Sequence, residues 1–180
     1  MVYLQDIKRK QENWLLHKNT KIIVIACNTS SAWAAGSLRR KFKNTPIFEM
    51  ISPAVVEALA ITKNNKIGII GTPGTIKSGA YQQKLLKANP NLKIFPQPCP
   101  LLVPIVDEGM LDDNVTIEVL KRYINPIKEK GIDTLILGCT HYPLLKPAIK
   151  KVMGDKVKLI DSAIETAKEV KKILEETSLL

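Results

Sequence analysis

The sequence has 180 residues, 45% hydrophobic and 24% charged, with 27 Lys and Arg against 17 Asp and Glu and a net charge of +10. That is too apolar for a disordered chain and long enough for a real core, while no apolar run reaches bilayer length and Met1 to Lys10 lacks the apolar centre of a secretory signal, so a cytoplasmic protein is expected. The basic residues are spread along the chain without interleaved aromatics, which favours a solvated lysine-rich surface over a nucleic-acid footprint, though the field also suits an acidic substrate.

Strand-like and helix-like segments alternate. Residues Asp6 to Lys18 form a weakly amphipathic helix pattern, with His17 on its polar side. Lys21 to Ala26 (KIIVIA) is a continuous apolar run, the pattern of a strand buried on both faces. Ser31 to Phe42 reads as a helix stopped by Asn44-Thr45-Pro46, Ile47 to Met50 as a short strand, and Pro53 to Ile61 as a helix with proline in its first turn.

The alternation continues with a strand over Lys66 to Ile70, a turn over Gly71 to Thr75, a helix over Ser78 to Lys87 and a strand over Leu92 to Phe95. Pro96 to Pro104 holds four prolines and reads as a loop or an extended crossing. Asn114 to Lys130 places Val115, Val119, Leu120, Tyr123, Ile124 and Ile127 on one helix face, with Pro126 expected to kink the helix or end it early. Thr134 to Leu137 is a buried strand, Pro143 to Met153 a helix and Val157 to Ile160 a strand; Asp161 or Ser162 caps a last helix to about Leu174. This order implies parallel βα units in an α/β, doubly wound fold, with ligands beyond the carboxyl ends of the strands.

Two segments echo one another. Ile22 to Thr29 reads IIVIACNT and Thr134 to His141 reads TLILGCTH. Each is a buried strand, a small residue, a cysteine and then polar residues opening a helix. Cys27 and Cys139 are far apart in sequence, so two similar lobes would have to present them across a cleft. A thiol at a helix N-terminus meets oriented N–H groups and the positive dipole end, which favour thiolate. Asn28, Thr29, Thr140 and the adjacent N–H groups can hold a substrate carboxylate. The plainer alternative is that both are small buried core residues. A metal site built from Cys27, Cys139 and His141 lacks paired Cys spacing and a clear fourth ligand, so no metal is expected. Three cysteines in a reducing compartment argue against a disulfide framework, and Cys99 reads as structural.

Ala26-Cys27-Asn28-Thr29-Ser30-Ser31-Ala32 and Gly138-Cys139-Thr140-His141-Tyr142-Pro143-Leu144-Leu145 resemble the two cysteine motifs of glutamate racemases. Gly71-Thr72 through Thr75-Ile76, with Ser78 and Tyr81, resembles a third stretch of that family, and Pro100 to Gly109 a fourth. The resemblance runs over nearly the whole chain, in the same order.

The resemblance implies two pseudo-symmetric α/β lobes with mainly parallel sheets and the substrate between them. The first lobe would comprise residues 1–51 and 161–180 and carry Cys27; the second, residues 52–160, would carry Cys139. It implies cofactor-free interconversion of L- and D-glutamate, supplying D-glutamate for peptidoglycan. One cysteine thiolate removes the α-proton and the other thiol returns a proton to the opposite face. Cys27 and Cys139 match these roles, His141 assists the second cysteine, and Asn28, Thr29 and Thr140 match substrate-binding positions. The family's acidic residue in the fourth stretch, a Glu, falls on Asp107 or on Glu108 beside it, and the resemblance leaves the two open. The family's opening strand, its Asp-Ser-Gly turn and its closing βα stretch have no counterpart here, so the first lobe is expected to be incomplete and activity weak or absent. The expected partner is glutamate, with no nucleic acid and no membrane, and a homodimer is admissible. An aspartate or related racemase, and a catalytically dead ligand-binding fragment, are the alternatives.

Overall fold

A computed structural model describes residues 20–177. The helix expected over residues 6–18, His17 included, lies outside them. Strand β1 (Ile23–Ile25) leads to helix α1 (Asn28–Lys41), β2 (Ile47–Glu49) and α2 (Ile51–Ile61). Then come β3 (Lys66–Gly71), α3 (Pro73–Lys77), α4 (Ala80–Ala88), β4 (Lys93–Pro98) and α5 (Leu102–Asp107). The remainder is α6 (Asn114–Lys128), β5 (Thr134–Gly138), a 3-10 turn (Tyr142–Leu145), α7 (Lys146–Met153), β6 (Lys158–Asp161) and α8 (Ser162–Glu176).

The strands form two sheets, and every pairing is parallel: β1–β2, and a four-stranded sheet in the order β4–β3–β5–β6. The α/β class with parallel sheets is therefore as expected. In the larger sheet alternate residues serve opposite layers, as the pleat demands. Leu135 and Leu137 of β5 pack with Leu120, Ile124 and Ile149 beneath α5, α6 and α7. Ile136 turns the other way and packs with Ile67, Ile69, Ile51, Ala58 and Leu85 beneath α2 and α4. The β3 and β5 side chains Ile67, Ile69, Ile70 and Leu135 to Leu137 are wholly buried. Each such side chain contributes roughly 1.5–3 kcal/mol of burial, which makes this sheet the stable platform of the molecule.

The smaller sheet differs from expectation. Ile23 and Ile25 are buried but Val24 is 43% exposed, so β1 buries one face and not two. Among the described residues it pairs with β2 alone, and α1 covers the side that carries the two isoleucines.

The prolines also behave differently. β4 runs on through Pro96 and Pro98, because it is the edge strand and its pairing to β3 uses the odd-numbered amides. Lys93 N–H donates to Asn65 O at 2.8 Å and Cys99 N–H to Gly71 O at 2.9 Å, so the prolines occupy positions whose nitrogens face outward. Pro104 then sits in the first turn of α5, where a helix needs no N–H donor. Helix α6 continues two residues past Pro126 to Lys128. Its buried face holds Thr116 where Val115 was expected, and Val115 is 56% exposed. The turn expected over Gly71 to Thr75 instead opens a short helix, Pro73–Lys77, capped by Thr72. Gly79, at φ 67°, then lets the chain restart as α4. Asp161, not Ser162, caps α8, its Oδ1 accepting from Ala163 and Ile164 N–H at 3.0 and 3.3 Å.

Candidate active site

Cys27 stands two residues beyond the strand and is the N-cap of α1, which opens three residues earlier than expected. Its extended backbone (φ −148°, ψ 125°) turns the exposed thiol back over the first turn, where Sγ accepts Ser30 N–H at 3.5 Å. Asn28 follows, 2% exposed. Its amide is engaged at both ends: Tyr81 OH donates to Oδ1 at 2.6 Å, and Nδ2 donates to Ser162 Oγ at 3.0 Å. Thr29 joins a triangle of hydroxyls with Thr72 and Thr75, with Oγ1 separations of 2.8, 3.0 and 3.0 Å. Thr72 Oγ1 also accepts Thr75 N–H at 3.1 Å. The first turn of α1 is thereby docked on the β3–α3 turn, and Trp33 Nε1 adds a bond to Gly74 O at 3.2 Å.

Cys139 lies directly beyond β5 and is buried, 6% exposed. The 3-10 turn Tyr142–Leu145 precedes the α-helix that follows, and the backbone N–H groups of His141 and Tyr142 favour the thiolate. Burial is the larger effect and pushes the Cys139 thiol up, and the charges of Cys27 and Asp107 push it further. The expected thiolate is thus disfavoured at this turn, because withdrawal from water outweighs the oriented amides. Asn28, next to Cys27, is joined through Ser162 Oγ to the carbonyl of Leu137, two residues before Cys139, so the two cysteine turns are tied together though their strands belong to different sheets.

His141 connects Cys139 to a carboxylate. Its Nδ1 lies 3.7 Å from Cys139 Sγ and its Nε2 lies 3.3 Å from Asp107 Oδ1. Asp107 ends α5 and makes this contact; Glu108, the next residue, is exposed. Thr140 is half-buried between Cys139 and His141. Cys99 belongs to the core around Leu102 and Tyr142, where burial pushes its thiol up to about 12. Among the described residues no group of three or more His, Cys, Asp and Glu side chains is placed to hold a metal ion. No described helix is long and apolar enough to cross a membrane.

Thr72, Thr75, Tyr81 and Ser162 complete this surround. The Thr-Pro pair that opens a helix was a legible signal for Thr72; Ser162 was legible only as a cap. A separate cavity of about 350 Å³ lies along β2, lined by Arg39, Phe48, Glu49, Ser52, Glu169 and Ile173, and shares no residue with the thiol turns. Burial raises the Glu49 carboxyl there, yet the Ser52 hydroxyl, the Ile51 and Ser52 amides and Lys84 together hold it below its usual range.

Known proteins resemble this chain over most of its length. Residues 3–170 match the family model described as Asp/Glu/Hydantoin racemase. The chain is 42% identical over 168 residues to a glutamate racemase of Geobacter metallireducens, covering 93% of this chain and 62% of the relative. It is 46% identical over 177 residues to that of Neisseria meningitidis serogroup A, covering 98% and 65%. Among solved structures, a glutamate racemase from Bacillus anthracis superposes with a TM-score of 0.92 at 37% identity, covering 99% of this chain and 66% of that one. One from Francisella tularensis, determined with D-glutamate, gives 0.91 at 35% identity with the same coverage. The chain thus spans under two thirds of the length of these relatives. With the family model matched over residues 3–170 and the fold shared with these solved structures, the chain belongs to the Asp/Glu/hydantoin racemase family.

Proposed function

We propose that this chain carries the chemistry of a glutamate racemase, inverting the α-carbon of glutamate by two-thiol acid/base catalysis without a cofactor. The observation that supports it most is the pairing of two cysteine turns from separate sheets, one exposed and one buried, tied together through Asn28 and Ser162. Inversion needs two groups on opposite faces of the α-carbon, one to take a proton and one to give one.

The unequal surroundings suit that division. Cys139, raised by burial, rests as a thiol and is the donor, and Cys27, on the exposed turn, is the group that takes the α-proton. In the reverse direction the roles exchange: Cys139, left deprotonated once it has given its proton, is the base, Cys27 returns the proton it took, and His141, steadied by Asp107, stands beside the Cys139 sulfur to assist its proton transfer. The hydroxyls of Thr29, Thr72 and Thr75 beside the first turn of α1 offer donors for the substrate carboxylates, as does Thr140 on the other turn. Asn28 is engaged by Tyr81 and Ser162, which leaves it one amide N–H for substrate. The lobes divide as residues 1–51 with 161–180, and 52–160. The reaction would supply D-glutamate for peptidoglycan in the cytoplasm.

The test is to incubate the purified chain with L-glutamate in deuterated water and follow the α-proton signal by NMR. Slow loss of that signal, abolished in Cys27→Ala and in Cys139→Ala, is the expected result. Exchange that persists in both variants would overturn the two-thiol reading, and exchange of aspartate in preference to glutamate would overturn the substrate.

A further inference from the structure

Tyr81 is wholly buried and touches both cysteine turns. Its hydroxyl donates to the Oδ1 of Asn28, the residue after Cys27, at 2.6 Å. Its ring lies against Gly138, the residue before Cys139: a Cβ placed there would come within 3.2 Å of Tyr81 Cε2 and 2.9 Å of Ile70 O. The bonds then continue. Asn28 Nδ2 donates to Ser162 Oγ at 3.0 Å, and Ser162 Oγ donates to Leu137 O, two residues before Cys139, at 3.1 Å. Ser162 has one proton, committed to Leu137, so it must accept from Asn28. That fixes the amide nitrogen toward Ser162 and the amide oxygen toward Tyr81. The chain Tyr81, Asn28, Ser162, Leu137 O therefore has one polarity and no spare member. It spans sequence separations of 53, 134 and 25 residues.

We infer that Tyr81 and Ser162 are positioning residues that set the distance between the two thiols. Neither touches the reacting atoms. Tyr81 fills the gap between the turns with a rigid ring and holds the first turn of α1 by its hydroxyl. Ser162 anchors the same asparagine to the strand that leads into Cys139. Both hydroxyls lie where an unpaired buried amide would be costly, so the chain has two states: complete, or broken with the first turn of α1 released. The catalytic meaning of this spacing rests on the two-thiol reading above; the spacing itself does not.

The experiment cross-links the thiols of the full chain with bifunctional methanethiosulfonates of graded length. Peptide mapping separates the Cys27–Cys139 product from any involving Cys99. The parent protein should select a narrow range of lengths. Tyr81→Phe keeps the ring against Gly138 and removes only the hydroxyl. It should change the ratio of short- to long-reagent product by about fivefold, the equivalent of one lost buried hydrogen bond, while the variant remains cooperatively folded. Unchanged length selection in folded Tyr81→Phe would overturn the inference. Should Tyr81→Phe not fold, Ser162→Ala breaks the same chain from its other end and is read by the same ratio, with the same overturning result. Length selection is independent of turnover: a strut that behaves as stated in a chain that exchanges no glutamate α-proton would sink the racemase reading and leave the spacing role standing.

Discussion

The carboxylate of Asp107 meets Nε2 of His141 at 3.3 Å, so the end of α5 steadies the ring that stands 3.7 Å from the Cys139 sulfur. An Nε2–H donated to Asp107 leaves Nδ1 as the lone-pair nitrogen facing the thiol, which is the tautomer a proton acceptor needs. Both side chains are partly exposed, at 39% and 57%, so solvent screens the pair. Asp107→Asn is therefore expected to slow α-proton exchange by about fivefold or less, the scale of an exposed ion pair. His141→Ala should cost more, and NMR exchange rates in deuterated water compare the two.

The buried thiols make the fold sensitive to alkali. Cys99 ordinarily titrates near 9 and is raised to about 12 by burial. An acid whose folded value is raised leaves stability intact below the unfolded value. Above it the unfolded chain loses its proton first, and stability falls until the folded value is reached. Thermal melts should therefore fall steeply from pH 9 to about 12. Cys99→Ala should melt lower at neutral pH, from the lost packing, yet show a visibly shallower alkaline slope. Parallel slopes in the two proteins would contradict this.

Gly138→Ala tests the crowding between the cysteine turns. The new methyl would meet the Ile70 carbonyl at 2.9 Å, and backbone cannot yield as a flexible side chain can. A loss of about 1–3 kcal/mol in denaturant unfolding is expected, the usual cost of overpacking. Cys139 should also alkylate faster, because the strand end that buries it is displaced.

Glu49 is 2% exposed and accepts from the Ile51 and Ser52 amides at 2.6 and 3.0 Å, from the Ser52 hydroxyl and from Lys84 at 3.3 Å. Its folded value lies below the ordinary 4.5, so its contribution is complete above pH 4.5 and is lost as pH falls through the lowered value. Glu49→Gln offers one acceptor oxygen where two were used. It should cost about 1–3 kcal/mol at neutral pH, with the two stability curves converging in acid.

The sequence revealed what is local. Apolar runs such as Lys66 to Ile70 and Thr134 to Leu137 needed no partner to announce a buried strand, and both thiol turns were visible from the strand, small residue and cysteine order. The resemblance already led from Cys139 to His141 and left Asp107 and Glu108 open; of the two, it is Asp107 that makes the ring contact. What depends on position in the sheet stayed hidden. Pro96 and Pro98 suit a strand only because β4 is an edge with its even-numbered nitrogens turned outward. Val115 fits the helix period but falls beyond the core, and Thr116 takes the buried place. Tyr81 and Ser162 sit 53 and 134 residues from Asn28, and no local pattern reports such partners.

The small sheet has a dynamic consequence. Two paired strands of three residues each, with Val24 in contact with solvent, do not form an independently stable unit. Their persistence is borrowed from the larger sheet through Asn28, Thr29 and Trp33. The segment from β1 to β2 should accordingly be the first to open in native-state hydrogen exchange, with protection well below that of β3 and β5. Cys27 rides on that segment and Cys139 on the rigid one, so the reactive geometry is a fluctuating quantity: each local opening separates the pair and each closure restores it.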